Sequence, residues 1–317
     1  MNLSVSLAGL QLATPIMIAS GIWGYGDEYT GLGTLEGVGA VVLKTITLDP
    51  CVGNEPACRT VETPSGMLNS IGLENIGAEA FLADKLPHLR DLPERRTATP
   101  LRIIVSIAGD TVDEFARLAA RLEGEAGIDA LEVNISCPNV ERGGALFGCD
   151  ANAAAEVTRA VRSACSLPVI PKLTPNVTDI AAIARACAEA GADALSLINT
   201  ISGMAIDVRT QRPRLGGDFG GLSGPAIRPA AVLRVYQVAQ AVSLPIIGMG
   251  GVWDAEDVLE FVEAGATAVG VGTALFFDPQ RPRKIVQGLE ALLREMGAED
   301  IRPLIGAVRL NRGQQID

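Results

Sequence analysis

Residues 245–273 read Pro-Ile-Ile-Gly-Met-Gly-Gly-Val-Trp-Asp-Ala-Glu-Asp-Val-Leu-Glu-Phe-Val-Glu-Ala-Gly-Ala-Thr-Ala-Val-Gly-Val-Gly-Thr, and this stretch decides the fold. It holds two short apolar runs, Pro245–Gly248 and Ala266–Val271, on either side of Ala255–Ala264, where apolar residues recur at helical spacing. Each run has the length of a strand and is followed by glycine or a small polar residue. The stretch therefore predicts a strand, a helix and a second strand.

The same unit recurs along the chain. Six further apolar runs look like buried strands: Pro15–Ala19, Ala40–Leu43, Leu101–Ile107, Ala130–Val133, Pro168–Ile170 and Ala194–Ile198. Stretches of helical periodicity lie between most of the runs, including Val112–Glu125, Asn152–Ala164, Thr178–Ala190 and Pro229–Val242. Eight such units close most naturally into a (β/α)8 TIM barrel, because helices must cover the outer face of parallel strands. The alternative is an open doubly wound sheet, but the first run is followed by G-x-x-G-x-G at Gly21–Gly26 instead of G-x-G-x-x-G.

The length of 317 residues fits a single barrel domain, and no Pro/Ser-rich linker or charge block divides the chain. The longest connection, Thr45–Pro100, is rich in Gly, Pro and Asn and is too long for a plain loop. We therefore predict one domain over residues 1–317. Residues 45–100 would be an insertion, containing a small helix and a hairpin, that folds over the barrel mouth and the active site.

The composition narrows the class of protein. Hydrophobic residues make up 48% and aromatics 4%, so the core must be built mainly from Ala, Val, Ile and Leu. The formal net charge of −11 argues against nucleic acid or an anionic membrane as a partner. Residues Met1–Ala13 contain no basic region, long apolar run or amphipathic anchor. We expect a cytoplasmic protein.

The cysteines and the histidine point away from a metal site. The six cysteines, at positions 51, 58, 137, 149, 165 and 187, form no C-x-x-C pair of the kind that binds zinc or iron–sulfur clusters. The single histidine, His88, lies at a predicted helix end, where we expect it to face solvent. This pattern predicts free thiols, no metal, and no histidine acid–base catalysis.

Polar residues follow most of the predicted strands, at the face where barrel enzymes carry their chemistry. They are Ala19, Ser20 and Gly21; Lys44 and Thr45; Asn134, Cys137 and Asn139; Lys172; Asn199 and Thr200; Gly250 and Gly251; and Gly272 and Thr273. A lysine buried at a strand end is costly unless an anion or a polarised ring lies nearby, and the set contains two lysines. The set therefore predicts an anionic ligand.

The last two strands indicate the kind of anion. Gly248-Met-Gly-Gly251 precedes a helix opening at Asp254, and Val271-Gly-Thr273 precedes Ala274-Leu-Phe-Phe277. Backbone N–H groups near two helix starts can converge on a phosphate at this point of a barrel. An ordinary tight turn would explain either motif alone, but the two motifs together favour a phosphate site. A lysine beside a redox-capable ring makes flavin mononucleotide (FMN) a candidate.

A thiol stands between two amides in Asn134-Ile-Ser-Cys-Pro-Asn139, directly after the predicted strand Ala130–Val133. Pro138 keeps Cys137 extended and prevents a helix from beginning there. Cys137 is therefore predicted to be presented to a ligand. The competing interpretation, a small packing residue, suits the other five cysteines.

Seven motifs, in order along nearly the whole chain, resemble the dihydroorotate dehydrogenase family. They are Lys44-Thr45, Asn69-Ser-Ile-Gly-Leu73 followed by Asn75, Asn134-Ile-Ser-Cys-Pro-Asn139, Lys172-Leu-Thr-Pro-Asn-Val177, Ile198-Asn-Thr200, Gly221-Leu-Ser-Gly-Pro-Ala226 and Gly248-Met-Gly-Gly251. Three more segments, Gly53–Pro56, Glu62–Leu68 and Asp207–Pro213, resemble the catalytic FMN subunit of class 1B.

The resemblance implies an FMN enzyme that oxidises (S)-dihydroorotate to orotate in pyrimidine (UMP) biosynthesis. Cys137 would take the proton from the carbon alpha to the ring carbonyl, while hydride passes from the neighbouring carbon to flavin N5. Because a free thiol ionises near pH 8.5, the site must favour the thiolate, or activity should rise toward alkaline pH.

The resemblance also implies the binding residues. For substrate it implies Lys44, Asn69, Ile71, Gly72, Leu73, Asn134, Asn139, Asn199 and Thr200. For FMN it implies Ala19, Ser20, Gly21, Lys44, Thr45, Asn134, Lys172, Ile198, Gly224, Gly250, Gly251, Gly272 and Thr273. The amides would match the pyrimidine edge and the carboxylate, and Lys172 would stabilise negative charge on the reduced ring. Asn176 is expected to be only a turn former.

Two positions depart from the family pattern. Pro171 stands where a strand interior would prefer a hydrogen-bond donor, which predicts that the fifth strand ends early or bends there. Glu74 follows Leu73 where the family often has Gln, a change that affects the charge of the loop. Neither position is one proposed to react.

The reduced flavin needs an acceptor, and the chain carries neither a dinucleotide fingerprint nor iron–sulfur ligands. Class 1B implies a homodimer that assembles with an electron-transfer subunit carrying FAD and a 2Fe–2S cluster into a heterotetramer, with NAD+ as final acceptor. Alternatives are fumarate reduction as in class 1A, oxidation of another dihydropyrimidine, and a barrel that binds phosphate or flavin without turnover. Quinone reduction is disfavoured, because residues Met1–Ala13 do not resemble a membrane-facing N-terminal extension.

Overall fold

The computed structural model describes residues 1–26, 28, 35–55, 58–135 and 147–311. Eight parallel strands form a closed barrel in chain order, with the eighth strand pairing with the first. Their bounds are Ile16–Ile18, Ala40–Val42, Arg102–Ile107, Ala130–Asn134, Val169–Leu173, Leu195–Leu197, Ile246–Met249 and Ala268–Val271. The predicted (β/α)8 barrel is therefore confirmed, and an open doubly wound sheet is wrong.

The barrel strands are buried on both faces, which explains why the sequence shows them as continuous apolar runs. The fifth strand corrects one prediction. Val169–Leu173 passes through Pro171, which lies opposite Val133, and continues to Leu173. The missing N–H costs at most one ladder bond, and at Lys172 the strand pairs with both of its neighbours. The expectation that this strand ends early at Pro171 is wrong.

Helices follow the strands and cover the outside of the barrel. The longer ones are Val112–Leu122, Ala151–Ala164, Ile180–Glu189, Arg228–Ala239, Ala255–Ala264 and Arg281–Glu295. Shorter ones are Gly77–Ala80, Leu86–Arg90 and Ala274–Phe277, with single turns at Phe81–Lys85, Pro93–Arg96, Phe147–Cys149, Pro225–Ile227 and Arg302–Leu304. Thr111, Asp150 and Asp179 each cap a helix start by accepting the N–H three residues on. Across the described ranges, no helix is both long enough and apolar enough to cross a membrane.

The single histidine lies on the surface, as predicted. His88 belongs to the short helix Leu86–Arg90, and its side chain is exposed. This helix is part of the 45–100 connection and buries Leu86 and Leu89 on its inner side. The imidazole therefore faces solvent.

An antiparallel hairpin precedes the barrel. Its strands, Val5–Leu7 and Leu10–Leu12, bury Leu7 and Leu12 completely. Arg102, the first residue of the third barrel strand, donates from Nε to the Gln11 carbonyl oxygen at 3.2 Å. This contact places the hairpin against the amino-terminal end of the barrel.

Two aspartates tie adjacent strands together at that same end. Asp129 Oδ2 accepts from Arg95 at 2.8 Å and from the backbone N–H of Ile103 at 2.8 Å. Asp193 Oδ2 likewise accepts from Arg162 and from the backbone N–H of Val169, both at 2.8 Å. Each aspartate directly precedes or lies near the start of one barrel strand and bonds to the start of the strand before it. The carboxylates of Asp129 and Asp193 therefore hold neighbouring barrel strands in register.

A four-stranded antiparallel sheet, here called the mouth sheet, lies at the other end of the barrel. Its strands are Ile201–Gly203, Gly220–Ser223, Gly66–Asn69 and Thr60–Thr63, in that spatial order. Two of them form a hairpin within residues 45–100, and the other two come from the connection after the sixth barrel strand. A further two-stranded ribbon, Ile206–Asp207 with Arg212–Pro213, belongs to that second connection. Asn69 pairs with Gly221 where the two connections meet.

Candidate active site

A cavity of about 340 Å³ lies at the carboxyl ends of the barrel strands, against the mouth sheet. Its walls include every predicted site residue that the structure describes: Ala19, Ser20, Gly21, Lys44, Thr45, Asn69, Ile71, Gly72, Leu73, Asn134, Lys172, Ile198, Asn199, Thr200, Gly224, Gly250, Gly251, Gly272 and Thr273. The other two, Cys137 and Asn139, lie outside the described residues. Residues scattered along the sequence thus meet in one site, as the barrel topology requires.

Hydroxyl groups form one wall of the cavity and bond to one another. Ser20 Oγ donates to the Leu43 carbonyl oxygen at 2.8 Å, and Thr45 Oγ1 lies 2.9 Å from Ser106 Oγ. Asn134 Nδ2 approaches Thr45 Oγ1 at 3.5 Å, a long hydrogen bond. These bonds hold the polar side chains in place without a ligand, so the wall is preorganised.

The two predicted lysines have different surroundings. Lys172 is buried, and its Nζ lies 3.4 Å from Glu132 Oε1, while Glu132 Oε2 accepts from Ser196 Oγ at 2.9 Å. Lys44 is half-buried and forms no ion pair with any residue that the structure describes. Because no carboxylate in the described ranges pairs with this half-buried ammonium, it adds positive charge to the cavity, which favours an anionic ligand.

Amide side chains line the side of the cavity that faces the mouth sheet. Asn69 Nδ2 donates to the Gly221 carbonyl oxygen at 3.3 Å, across the two connections that form this sheet. Asn199 Oδ1 accepts from the backbone N–H of Thr200 at 2.8 Å. Asn176 does not line the cavity; it donates to the Thr200 carbonyl oxygen at 3.1 Å and so supports this loop. Asn176 is thus a loop-forming residue, as expected.

The residues directly after the seventh and eighth strands, Gly250–Gly251 and Gly272–Thr273, form a cradle. Gly250 and Gly251 have φ values of 126° and 82°, in the region that favours glycine. Within the described part of the chain, the backbone N–H groups of Gly250, Gly251, Gly272 and Thr273 donate no hydrogen bond. Free N–H groups on two neighbouring strand ends fit the oxygens of a phosphate.

The cradle is supported from behind and open in front. Asp254 caps the following helix in a capping box with Asp257, whose carboxylate accepts from the backbone N–H of Trp253 at 2.7 Å and of Asp254 at 3.1 Å. These bonds fix the loop after Gly251. A Cβ added at Gly21 would meet no atom within 4 Å, and one at Gly272 would meet only Ala19 Cβ at 3.9 Å. These two glycines therefore leave open space for the ring system of a bound ligand.

The thiols of Cys165 and Cys187 are unreactive near neutral pH. Burial raises the pKa of Cys187 to about 11 and also raises the pKa of Cys165. Thiols that stay protonated at neutral pH are poor nucleophiles and poor bases. Cys165 and Cys187 therefore serve packing, as predicted.

The sequence left some cavity residues unidentified. Ser223 accepts from Thr273 Oγ1 at 2.8 Å and connects the mouth sheet to the cradle, while Trp253 and Phe276 line the cavity beside it. Glu132 lies behind Lys172 and was also missed. Glu132 had a sequence signal, since it is the one charged residue in the apolar run Ala130–Val133, and Ser223 lies within the motif Gly221–Ala226. The positions of Trp253 and Phe276 depend on contacts between distant segments.

Comparisons with known proteins identify the family of the chain. The family model "Dihydroorotate dehydrogenase" matches residues 2–293. The chain is 54% identical over 312 residues to "Dihydroorotate dehydrogenase B (NAD(+)), catalytic subunit" of Desulforudis audaxviator, covering 98% of each chain. It is 51% identical over 309 residues to the protein of the same name from Geobacter sp. (strain M21), covering 98% of this chain and 99% of that one.

A solved structure supports the fold. The chain matches a crystal structure of DHODH from Eimeria tenella in complex with ferulenol, with a TM-score of 0.79 and 23% identity, over 96% of this chain and 88% of that one. At this identity the match speaks for the barrel architecture alone. The family model and the two relatives, which extend over nearly the whole chain, establish that the chain belongs to the dihydroorotate dehydrogenase family.

Proposed function

We propose that this chain is the FMN-binding catalytic subunit of an NAD+-linked dihydroorotate dehydrogenase, which oxidises (S)-dihydroorotate to orotate in pyrimidine (UMP) biosynthesis. One observation carries the proposal: every described residue that the motifs assign to substrate or to FMN lines the same cavity. The relatives that are about half identical over the whole chain bear the same activity in their names.

The cavity fits FMN in its charge and its shape. The cradle formed by Gly250, Gly251, Gly272 and Thr273 would bind the phosphate through backbone N–H groups. The open space in front of Gly21 and Gly272 would take the planar ring, with Lys172 beside it. When bound, the flavin supplies the hydride acceptor of the reaction.

The substrate carries a carboxylate and an imide edge, and the amide wall offers both donors and acceptors. Asn69, Asn134 and Asn199 would bind these groups together with Thr200 and Asn139. Lys44 would bind the anionic groups of substrate and flavin, since no described carboxylate neutralises it. The resulting pocket would orient the two carbon atoms that lose hydrogen.

Cys137 would act as the general base. Its thiolate would remove the proton from the carbon alpha to the ring carbonyl, and the C–H electrons at the adjacent carbon would leave as hydride. This role rests on the family motif Asn134-Ile-Ser-Cys-Pro-Asn139. The sequence supports this role, since proline disfavours helical backbone at the residue before it and so predicts an extended segment at Cys137.

The electrons must then leave the barrel. We propose that a homodimer of this chain assembles with an electron-transfer subunit, carrying FAD and a 2Fe–2S cluster, into a heterotetramer that reduces NAD+. The words "catalytic subunit" in the relatives' names support such a partner. The free thiols of Cys51, Cys58, Cys149, Cys165 and Cys187 support a reducing compartment, and we place the reaction in the cytoplasm.

The test is anaerobic flavin reduction by the purified subunit. We expect a yellow protein that is bleached by dihydroorotate but not by dihydrouracil, which lacks the carboxylate. Colourless protein would support a barrel that binds phosphate alone, and yellow protein indifferent to dihydroorotate would support a flavin-binding scaffold. Bleaching by both compounds would favour a general dihydropyrimidine oxidase.

A second assay identifies the acceptor. Turnover with NAD+ should require the co-purified electron-transfer subunit, and fumarate should give none. Rapid fumarate reduction by the isolated subunit would instead assign the chain to the class 1A activity.

A further inference from the structure

A carboxylate is buried in the wall of the barrel just below the cavity. The side chain of Glu132 is only 1% exposed, and it sits in a strand whose neighbouring positions are apolar. It bonds to two groups: Lys172 Nζ, 3.4 Å from Oε1, and Ser196 Oγ, 2.9 Å from Oε2. The mechanism proposed above gives this carboxylate no task.

The strand register places Glu132 behind Lys172 as seen from the cavity. On the fourth strand Glu132 precedes Asn134 by two residues, so both side chains point to the same face. Asn134 pairs with Lys172 on the fifth strand, and Lys172 pairs with Ser196 on the sixth. Lys172 and Asn134 line the cavity, whereas Glu132 does not. The carboxylate therefore contacts the lysine and does not line the cavity.

Packing alone gives no reason for this arrangement. A buried ion pair is commonly no more stable than apolar residues of similar volume, because both charges must leave water. A lysine that must present its charge to a ligand in a buried site, by contrast, needs a partner that orients it. The pair is therefore explained by a task of Lys172 in the cavity.

We propose that Glu132 is a positioning residue that holds the Lys172 ammonium against the cavity and, by offsetting part of its charge, sets the reduction potential of the bound flavin. The inference rests on the proposed function, because it assumes that the cavity binds FMN. Reduction adds negative charge to the ring, which Lys172 stabilises and Glu132 opposes. Removing the carboxylate charge should therefore favour the reduced form.

The test is the two-electron midpoint potential of FMN-loaded protein, measured by anaerobic spectroelectrochemistry. Glu132→Gln keeps the shape of the side chain and an oxygen that can accept from Ser196 or Lys172. We expect the reduction equilibrium to shift about tenfold toward reduced flavin, which is a rise of about 30 mV for a two-electron couple. Glu156→Gln is the matched control, since Glu156 is exposed on the helix Ala151–Ala164 and the change in net charge is the same.

A double variant tests whether Glu132 acts through Lys172. Glu132→Gln with Lys172→Gln removes both charges and leaves a neutral amide pair, so its potential should fall below that of wild type. A potential equal to that of Glu132→Gln alone would overturn the proposal, as would an unchanged or lowered potential in the single variant. A merely structural role would change FMN affinity or thermal stability and leave the potential where it was.

Folding failure would not end the test. Should Glu132→Gln not fold, Glu132→Asp keeps the charge but moves the carboxylate away from Lys172 by one methylene, and its potential should also rise. An aspartate variant with the wild-type potential would overturn the proposal. If wild-type protein binds no FMN, or its flavin is not reduced by dihydroorotate, the proposed function itself fails, and that outcome is visible before any variant is made.

Discussion

The two ends of the barrel use their charged residues differently. At the amino-terminal end, Asp129 and Asp193 each bond to an arginine and to the backbone of an adjacent strand. At the carboxyl end, Lys44 has no ion-pair partner among the described residues, and Lys172 is paired with a carboxylate that lies outside the cavity. Charge at the first end therefore aligns strands, while charge at the second remains available to a ligand. Substitutions at the two ends should affect different measurements.

The largest effect is expected at the cavity end, from Cys137→Ala. Loss of a general base should slow flavin reduction by dihydroorotate about 10²–10⁴-fold, with FMN still bound. Anaerobic stopped-flow absorbance would measure the rate. Cys149→Ala is the matched control, because Cys149 is an exposed free thiol. The flavin of this variant should be reduced at the wild-type rate. Equal rates in the two variants would remove Cys137 from the mechanism.

Lys44→Met tests the same end through charge. We expect flavin reduction to slow about 10²-fold, because a cationic donor near developing negative charge is lost. The free energy of unfolding should change by less than about 0.5 kcal/mol, since no ion pair with a described residue is broken. Urea unfolding and the reduction rate would be measured on one preparation. A large loss of stability with normal reduction would contradict the contrast between the ends.

Alkaline pH should lower the free energy of unfolding through the outer layer of helices, which belongs to neither end of the barrel. Burial raises the pKa of Cys187 from 9.0 to about 11. Below pH 9 the thiol is protonated in both states, so its contribution to stability is complete. Between pH 9 and 11 the unfolded chain ionises first, and about 2–3 kcal/mol should be lost. Urea unfolding at pH 8 and 10.5 should show a smaller fall for Cys187→Ala; an equal fall would exclude Cys187 as the source.

The smallest effect is expected at the amino-terminal end, from Asp129→Asn. The amide cannot accept from Arg95, Arg102 and the Ile103 N–H as the carboxylate does, and at least one donor is left unmatched. We expect a loss of about 2 kcal/mol in the free energy of unfolding, with FMN affinity and the reduction rate unchanged. A slower reduction rate at equal FMN occupancy would show that the ends are coupled.

Much of the barrel could be predicted from local sequence. Each of the eight apolar runs overlaps a barrel strand, and Ala255–Ala264 is a helix with the predicted bounds. Strands buried on both faces give continuous apolar runs, so their positions are visible in the sequence. The N-terminal hairpin and the pairing of Asn69 with Gly221 were not predicted, because they join segments whose register depends on tertiary contacts.

The site was predictable where it consists of strand ends and known motifs. Lys44, Lys172, Asn199 and the glycines after the last two strands all line the cavity. Ser223 was missed because its bond to Thr273 spans two distant connections. Pro171 misled the prediction of the fifth strand, because its cost was judged without the pairing on both sides of Lys172.

The mouth sheet has a consequence for how this end of the barrel can move. Its two halves come from the connections after the second and the sixth barrel strands, and main-chain hydrogen bonds join them at Gly66–Asn69 and Gly220–Ser223. The mouth sheet is attached to the barrel at two opposite points, so it cannot move about a single hinge. Movement of this sheet away from the barrel therefore requires both connections to move together or the central pairing between them to separate.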